Sequence, residues 1–222
     1  ELECVVNGAI CVGYSGRCWL SRSMGPRSGN RGQCSQPCRQ TYDLVDDDGN
    51  ILARNKYLLS VRDLDLSERL GDLLDAGVTS FKIEGRLKDL DYVKNTVGYY
   101  RQRLDEEIAV RPGLVRASSG RTVMDVRPDL SKTFTRGRSE YFFDGKRVGV
   151  ASMDTNKAVG EPVGRIKRTG PDWFELDGQT ILNPGDGICF FSGGVLAGTN
   201  IHRVEGKRIY SNKTERLSPG LE

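Results

Sequence analysis

The 222 residues are 28% charged and 37% hydrophobic with a net charge of +3, the balance of a globular chain of one large domain or two small ones. No apolar run approaches the roughly 20 residues that span a bilayer, which argues against a membrane helix and a membrane partner. The whole-chain field is weak, so any anionic partner has to be met by a local patch.

Residues 1–12 alternate Leu2, Cys4 and Val6 with Glu1, Glu3 and Val5, which predicts a strand of roughly eight residues ending near Cys11. The chain opens on this strand without methionine or secretory signal, and reads as a piece of a longer cytoplasmic protein. Leu221-Glu222 reads as a cloning remnant. Free thiols are then expected over disulfides for the six cysteines. Residues 13–40 hold Gly, Ser, Arg and Pro without sustained period, and long irregular segments in compact domains are usually functional. Cys11, Cys18, Cys34 and Cys38 lie here, spaced C-x6-C-x15-C-x3-C, around the loop Gly25-Pro-Arg-Ser-Gly-Asn-Arg-Gly32. Arg17, Arg22, Arg27, Arg31 and Arg39 face only Glu1 and Glu3 in this stretch. That is a patch for phosphate or carboxylate, or else a solvated basic loop.

Further on, Tyr57-Leu-Leu-Ser60 reads as a short buried strand. Leu66, Leu70, Leu73 and Leu74 follow helical spacing, with Asp65 and Glu68 as a capping box and Gly77 just past the end. Residues 80–83 form another strand, and Leu90, Val93, Val97, Tyr100 and Leu104 mark a second helix capped by Asp89. This alternation predicts parallel α/β pairing with chemistry at the carboxyl ends of strands. Cys11 and the trio Lys82, Glu84 and Arg86 occupy such ends. Spacing of two sends the trio to one side if the strand persists. It would then bind a carboxylate and tune a carboxylate base; a structural ion-pair network is the alternative.

Residues 113–132 read as a linker between a first region, 1–112, and a β-rich region, 133–220. Short strands are predicted at 139–143, 162–166, 173–176, 187–191, 201–204 and 208–210, with a turn at Asn183-Pro-Gly-Asp186. That pattern suggests a small antiparallel barrel or sandwich. Arg165, Lys167, Arg168, Arg203, Lys207 and Arg208, with Trp173 and Phe174 for stacking, would suit RNA, although strand aromatics are more often core.

Thiolates are soft ligands for iron–sulfur clusters, zinc or copper(I). Only Cys34 and Cys38 are as close as a zinc knuckle, and ferredoxin spacings are absent. Spacing alone leaves zinc, iron–sulfur and inert thiols open. Cys4 and Cys189 read as small core residues. His202 is the one histidine and lies in the β-rich half. There is no HExxH, no G-x-S-x-G elbow, no P-loop and no G-x-G-x-x-G; Gly145-Lys146-Arg147 lacks the rest of a phosphate loop. A hydrolase of standard type is poorly supported.

The stretches Gly8-Ala-Ile-Cys-Val-Gly-Tyr-Ser-Gly-Arg-Cys-Trp-Leu-Ser21, Arg27-Ser-Gly-Asn-Arg-Gly-Gln-Cys34 and Gln36-Pro-Cys-Arg39 strongly resemble the signature of the collagenase-like peptidase family U thirty-two. So do Tyr57-Leu-Leu-Ser-Val-Arg-Asp-Leu64, Ala76-Gly-Val, Ser80-Phe-Lys-Ile-Glu-Gly-Arg86 and Lys132-Thr-Phe-Thr-Arg-Gly137. The resemblance is close over residues 1 to about 143. It implies an α/β plus β chain: the C-terminal part of a TIM-like barrel, then a small antiparallel β-barrel domain. Val159-Gly-Glu-Pro-Val-Gly-Arg-Ile166 and Leu182-Asn-Pro-Gly-Asp-Gly-Ile188 look like the small barrels beside translation-factor domains.

Two activities attach to the family. One is collagenase-like proteolysis. The other is 5-hydroxylation of a pyrimidine in transfer or ribosomal RNA, with prephenate as cosubstrate. In the RNA branch four cysteines hold an iron–sulfur cluster, expected as 4Fe-4S, and these map onto Cys11, Cys18, Cys34 and Cys38. Lys82, Glu84 and Arg86 are then expected as catalytic or carboxylate-holding residues, and Arg27, Asn30 and Arg31 as RNA contacts. The β-rich extension favours the ribosomal-RNA type. A peptidase is the alternative, though four thiolates would fill a tetrahedral zinc and leave no open position. A non-catalytic RNA-binding module is a third reading. If first barrel strands are missing, exposed sheet edges should promote self-association.

Overall fold

The computed structural model describes residues 1–14, 16–145, 149–178, 180–214 and 216–222. Lys146 and Arg147 of the incomplete phosphate-loop motif lie outside them. The chain divides into two units, Glu1–Ala158 and Val159–Glu222. The first holds β1 (Glu3–Gly8), α1 (Leu20–Met24), β2 (Tyr42–Val45), β3 (Ile51–Lys56), β4 (Asp63–Asp65), α2 (Leu70–Asp75), β5 (Ser80–Ile83), α3 (Leu90–Ala109) and β6 (Arg138–Ser139). The second holds β7 (Ile166–Thr169), β8 (Trp173–Leu176), β9 (Gly187–Ser192), β10 (Val195–Glu205) and β11 (Arg208–Ser211).

The main sheet of the first unit runs β5-β1-β4-β6. It is mixed rather than all-parallel: β1 pairs parallel with β5 and antiparallel with β4, and β4 pairs parallel with β6. Its apolar core gathers Val6, Leu64, Leu66, Leu70, Leu73, Tyr100 and Leu130. Each such side chain, fully buried, contributes about 1.5–3 kcal/mol.

β1 stops earlier than the alternation predicts, because Gly8 turns to φ +108°. A Cβ there would lie 2.5 Å from the Glu84 carbonyl oxygen, so only glycine lets the two backbones approach this closely. Cys11 therefore sits beyond the strand, in the loop.

Residues 57–60 form a turn, not the predicted strand: the Ser60 N–H bonds the Tyr57 carbonyl at 3.0 Å, and Leu59 is exposed. Neighbouring backbone groups are met by other segments instead, with Ser152 N–H donating to Ser60 O and Arg39 to Val61 O.

α2 is entered through a 3-10 turn, Ser67–Arg69. The Asp65 carboxylate accepts from Ser67 N–H at 3.0 Å, while Glu68 pairs with Arg103 and leaves the expected capping box open. Gly77, at φ +86°, ends the helix as predicted. α3 begins where expected, with Asp89 accepting from Tyr92 N–H at 2.8 Å. Its inward face keeps Tyr100 and Leu104 of the predicted stripe and replaces the rest. Tyr92, Thr96 and Tyr100 are buried while Leu90, Val93 and Val97 are exposed. The tyrosine hydroxyls find partners on Asn7, Val6 and Asp65 at the sheet, and those bonds fix the helix rotation.

The β2–β3 hairpin was not anticipated, although Asp48-Gly49 between two apolar stretches is a hairpin signal. Residues 133–158, grouped by composition with the β-rich half, are bonded into the first unit. Asp63 N–H reaches Gly137 O, Arg62 N–H reaches Val150 O, and Tyr57 N–H reaches Met153 O. The predicted strand at 139–143 shrinks to β6 in the first sheet. The segment expected as a linker lies along α3, where Asn95 and the Asp129 backbone exchange two hydrogen bonds.

The second unit is an antiparallel sheet in the order β7-β8-β11-β10-β9, curled over Ile166, Phe174, Phe190, Ile201, Ile209 and Leu217. Its order is open among the described residues, an incomplete barrel rather than a closed one. The strand predicted at 162–166 moves to β7, since Gly164 adopts φ +127°. The Asn183-Asp186 turn forms, closed by two bonds between those residues. Among the described residues no helix is long and apolar enough to cross a membrane.

Candidate functional site

The segment after β1 contains little regular structure: α1 and two 3-10 turns, Gly29–Arg31 and Pro37–Arg39. Side chains hold it. Asn30 Oδ1 accepts from Cys18 N–H at 3.0 Å, and buried Ser21 Oγ accepts from Ser35 N–H at 3.1 Å. Arg27 donates to the carbonyls of Gln33 and Cys34, both at 3.1 Å.

All six cysteines are free thiols. Gly13 lies against two of the sulfurs: a Cβ at that position would be 3.5 Å from Cys18 Sγ and 3.7 Å from Cys11 Sγ. Burial pushes the Cys38 thiol up, Arg39 draws it down, and Cys11, Cys34 and Cys18 push it up further. Cys38 therefore lies within electrostatic reach of the other three thiols predicted with it. Gly13 N–H donates to Cys11 Sγ and Gln36 N–H to Cys34 Sγ, both at 3.3 Å, and Ser21 Oγ donates to Cys34 Sγ at 3.6 Å. Thiolate sulfurs that accept hydrogen bonds have the chemistry of soft-metal donors. One tetrahedral zinc would draw four sulfurs to within about 4 Å of each other, given Zn–S of about 2.3 Å. Among the described residues no group of three or more His, Cys, Asp or Glu is spaced for a single ion. Cys4 packs on the first core and Cys189 donates to Val159 O at 3.2 Å; burial pushes both thiols up.

Of the expected RNA contacts, Arg27 and Asn30 are engaged in folding the loop, and Arg31 is exposed. The sequence reading missed Tyr14 and Trp19, 80% and 68% exposed beside the exposed Arg17 and Arg22. Aromatics in an aperiodic, arginine-rich segment were the available signal. Exposed rings interleaved with arginines form a stacking and phosphate-binding surface.

β5 ends at Ile83, so the alternation that would align Lys82, Glu84 and Arg86 fails after Lys82. Glu84 Oε1 turns back to accept from Arg86 N–H at 3.0 Å. Lys82 and Arg86 are exposed and Glu84 half-buried. Among the described residues no ion pair joins the three, so the ion-pair alternative does not form either.

A second polar cluster lies at the sheet and had no signal in residue spacing. Asp63, 5% exposed, accepts from Arg136 Nη1 at 2.9 Å and Arg136 N–H at 3.0 Å. Arg136 Nε donates to Asn156 O, and Asn156 Nδ2 donates to Arg39 O. Arg39, 8% exposed, donates to Ser60 Oγ at 2.7 Å, Val61 O at 2.5 Å and Ile10 O at 3.1 Å. The cluster is thus joined to the cysteine loop through Arg39. Lys88 Nζ sits 3.1 Å from the centroid of the Phe134 ring, and burial draws its pKa down. Tyr100 donates to Val6 O; burial, first, and Asp65 push its phenol far up, so it stays a donor.

Residues 1–151 match the family described as Peptidase family U32. Over 204 residues the chain is 43% identical to the Escherichia coli K12 protein named 23S rRNA 5-hydroxycytidine C2501 synthase, covering 92% of the chain and 31% of that protein. It is 36% identical over 202 residues to the Bacillus subtilis tRNA hydroxylation protein P1, covering 86% of the chain and 46% of that protein. It is also 30% identical over 227 residues to a Porphyromonas gingivalis protein named collagenase, covering 99% of the chain and 60% of that protein. The chain thus spans less than two thirds of each of these relatives. No solved structure matches it. With its cysteine loop, β1, β5 and β6 all inside the matched span, the chain belongs to Peptidase family U32.

Proposed function

We propose that this chain is part of a protein that supports 5-hydroxylation of a pyrimidine in ribosomal or transfer RNA. The observation that carries the reading is four free thiols in one loop, Cys38 within electrostatic reach of the other three, beside exposed Tyr14, Trp19, Arg17, Arg22 and Arg31. The names of the relatives from Escherichia coli and Bacillus subtilis point the same way.

Cys11, Cys18, Cys34 and Cys38 would hold an iron–sulfur cluster, of the 4Fe-4S type. The donor set fits: all four ligands are thiols, and two of them already accept hydrogen bonds. When bound, such a cluster supplies one-electron chemistry or a positively polarised iron. The chain's own residues do the rest. Tyr14 and Trp19 stack bases, while Arg17, Arg22 and Arg31 contact phosphates. Lys82 and Arg86, without ion pairs among the described residues, meet the carboxylates of a prephenate-type cosubstrate, with half-buried Glu84 between them as proton acceptor.

The first unit is read as the closing part of a TIM-like barrel. Its parallel β1–β5 pair and the uncovered Leu90, Val93 and Val97 of α3 support this, while the antiparallel β4 departs from it. A peptidase is the second reading, favoured by the collagenase-named relative.

The test is anaerobic purification followed by absorbance, iron, sulfide and zinc analysis, with the Cys34→Ser/Cys38→Ser double variant alongside. A band near about 400 nm with matching iron and sulfide, lost in the variant, supports the reading. Zinc alone, or no metal together with cleavage of a collagen peptide, overturns it.

A further inference from the structure

We propose that Lys88 and Arg136, with Arg39 behind them, form an anion subsite at the sheet that takes a compact oxyanion, a carboxylate or phosphate. The argument is a count of charge in a desolvated place. Three cations surround one carboxylate. Asp63 is taken twice by Arg136, through the guanidinium and the backbone N–H. Arg39 is buried against neutral acceptors only: Ser60 Oγ, Val61 O and Ile10 O. The Lys88 ammonium has no ion pair or hydrogen bond among the described residues. It rests on the Phe134 ring at 3.1 Å, with Tyr92 at 5.3 Å, and Arg136 lies 4.8 Å from the same Phe134 ring.

The other groups at this place do not supply the missing charge. Asn7 and Tyr92 are neutral and bond each other at 2.9 Å. Asp65 is engaged by Tyr100 and lies 3.6 Å from Arg138. Asp89 acts on Lys88 by its charge but forms no ion pair with it among the described residues, and accepts from Tyr92 N–H to cap α3; Glu84 accepts from Arg86 N–H. A partly desolvated cation without a partner is costly to hold and correspondingly receptive to an anion. The start of the 20-residue α3 just beyond Lys88 adds to the positive field. The cavity beneath, lined by Asn7, Gly8, Asp63, Tyr92, Phe134 and Thr135, has room for about one water molecule. The anion therefore sits over Lys88 rather than inside the unit.

This subsite is separate from Lys82 and Arg86, and it deepens the proposed function by giving that site a second anion contact. Two sources share the chemistry: a free small anion and the phosphodiester of an RNA strand. The experiment titrates the chain with malonate, inorganic phosphate and a short oligouridylate by calorimetry. Lys88→Gln and Lys88→Arg are compared with Lys94→Gln, an exposed α3 lysine that controls for net charge. Lys88→Gln is expected to weaken binding on the order of tenfold, while Lys88→Arg and Lys94→Gln stay within about threefold of the parent. Preference for malonate or phosphate assigns a free ligand, and preference for the oligonucleotide assigns RNA. Binding unchanged in Lys88→Gln, or absent from the parent, overturns the subsite. Because the readout is anion affinity, it fails or holds independently of any cluster on the thiols.

Discussion

Beneath the sheet of the second unit lie Phe174, Ile201, Phe190, Ile166, Ile209 and Leu217, whereas the first unit buries Asn7, Arg39, Asp63 and Thr96 close to the likes of Val6 and Leu70. Apolar burial is non-directional, and a sheet covered that way needs only shape and volume. The polar interior of the first unit needs a partner for every donor and acceptor, and a half-satisfied network is worse than an apolar one. Among the described residues Thr135 Oγ1 is in fact buried without a partner, as is Ser211 Oγ in the second unit. The difference separates a scaffold from a place where charge is kept for use.

The largest way to break this contrast is to remove apolar volume from the second unit. Phe174→Ala, at a residue 1% exposed, should cost about 3–5 kcal/mol. Hydrogen exchange should then rise across β7–β11; an effect confined to the first unit would refute the division. Next comes Asp63→Asn, which keeps shape but leaves Arg136, Arg39 and Lys88 with no carboxylate among them. A loss of about 3 kcal/mol is expected, read as a lower urea midpoint and partly restored by malonate. A neutral substitution would mean the charges are already compensated.

The smallest effect concerns pH. The folded pKa of Lys88 lies below its unfolded value of about 10.4, through burial first. The unfolded chain thus holds the proton longer. Below the folded pKa, protonated Lys88 opposes folding; as pH rises from there towards about 10.4, the opposition fades. The stability of the parent relative to Lys88→Met should rise over that window, by less than about 1 kcal/mol. A flat or falling difference would show that Lys88 is not desolvated.

These variants fall on residues of unequal legibility. β5, β8, the end of α2 and the start of α3 could be read from pattern, because alternation, Gly77 and Asp89 act within a few residues. The four cysteines were legible as residue types, and the backbone and hydroxyl donors that meet Cys11 and Cys34 needed the fold. The alignment of Lys82, Glu84 and Arg86 depended on the strand persisting past residue 83, and β5 stops there as its pattern indicated. The Asp63–Arg136–Asn156–Arg39 chain was invisible, because its members meet only after β4, β6 and the segment to 158 come together. The α3 stripe was right at Tyr100 and Leu104 and misassigned at Leu90, Val93 and Val97 for the same reason: Tyr92 is turned inward by its bond to Asn7 on the sheet.

The hydrogen bond from Asn156 to the Arg39 carbonyl spans 117 positions, and this has a consequence for synthesis. At about 5–20 residues per second, residue 156 is added roughly 6–23 s after residue 39. Throughout that interval the thiols of residues 11–38 are translated but lack their far anchor. A metal group delivered to them early would meet an unfastened loop open to oxidants. One delivered later would meet a loop already tethered through Arg39, with most of its ordering entropy spent before the first sulfur is engaged.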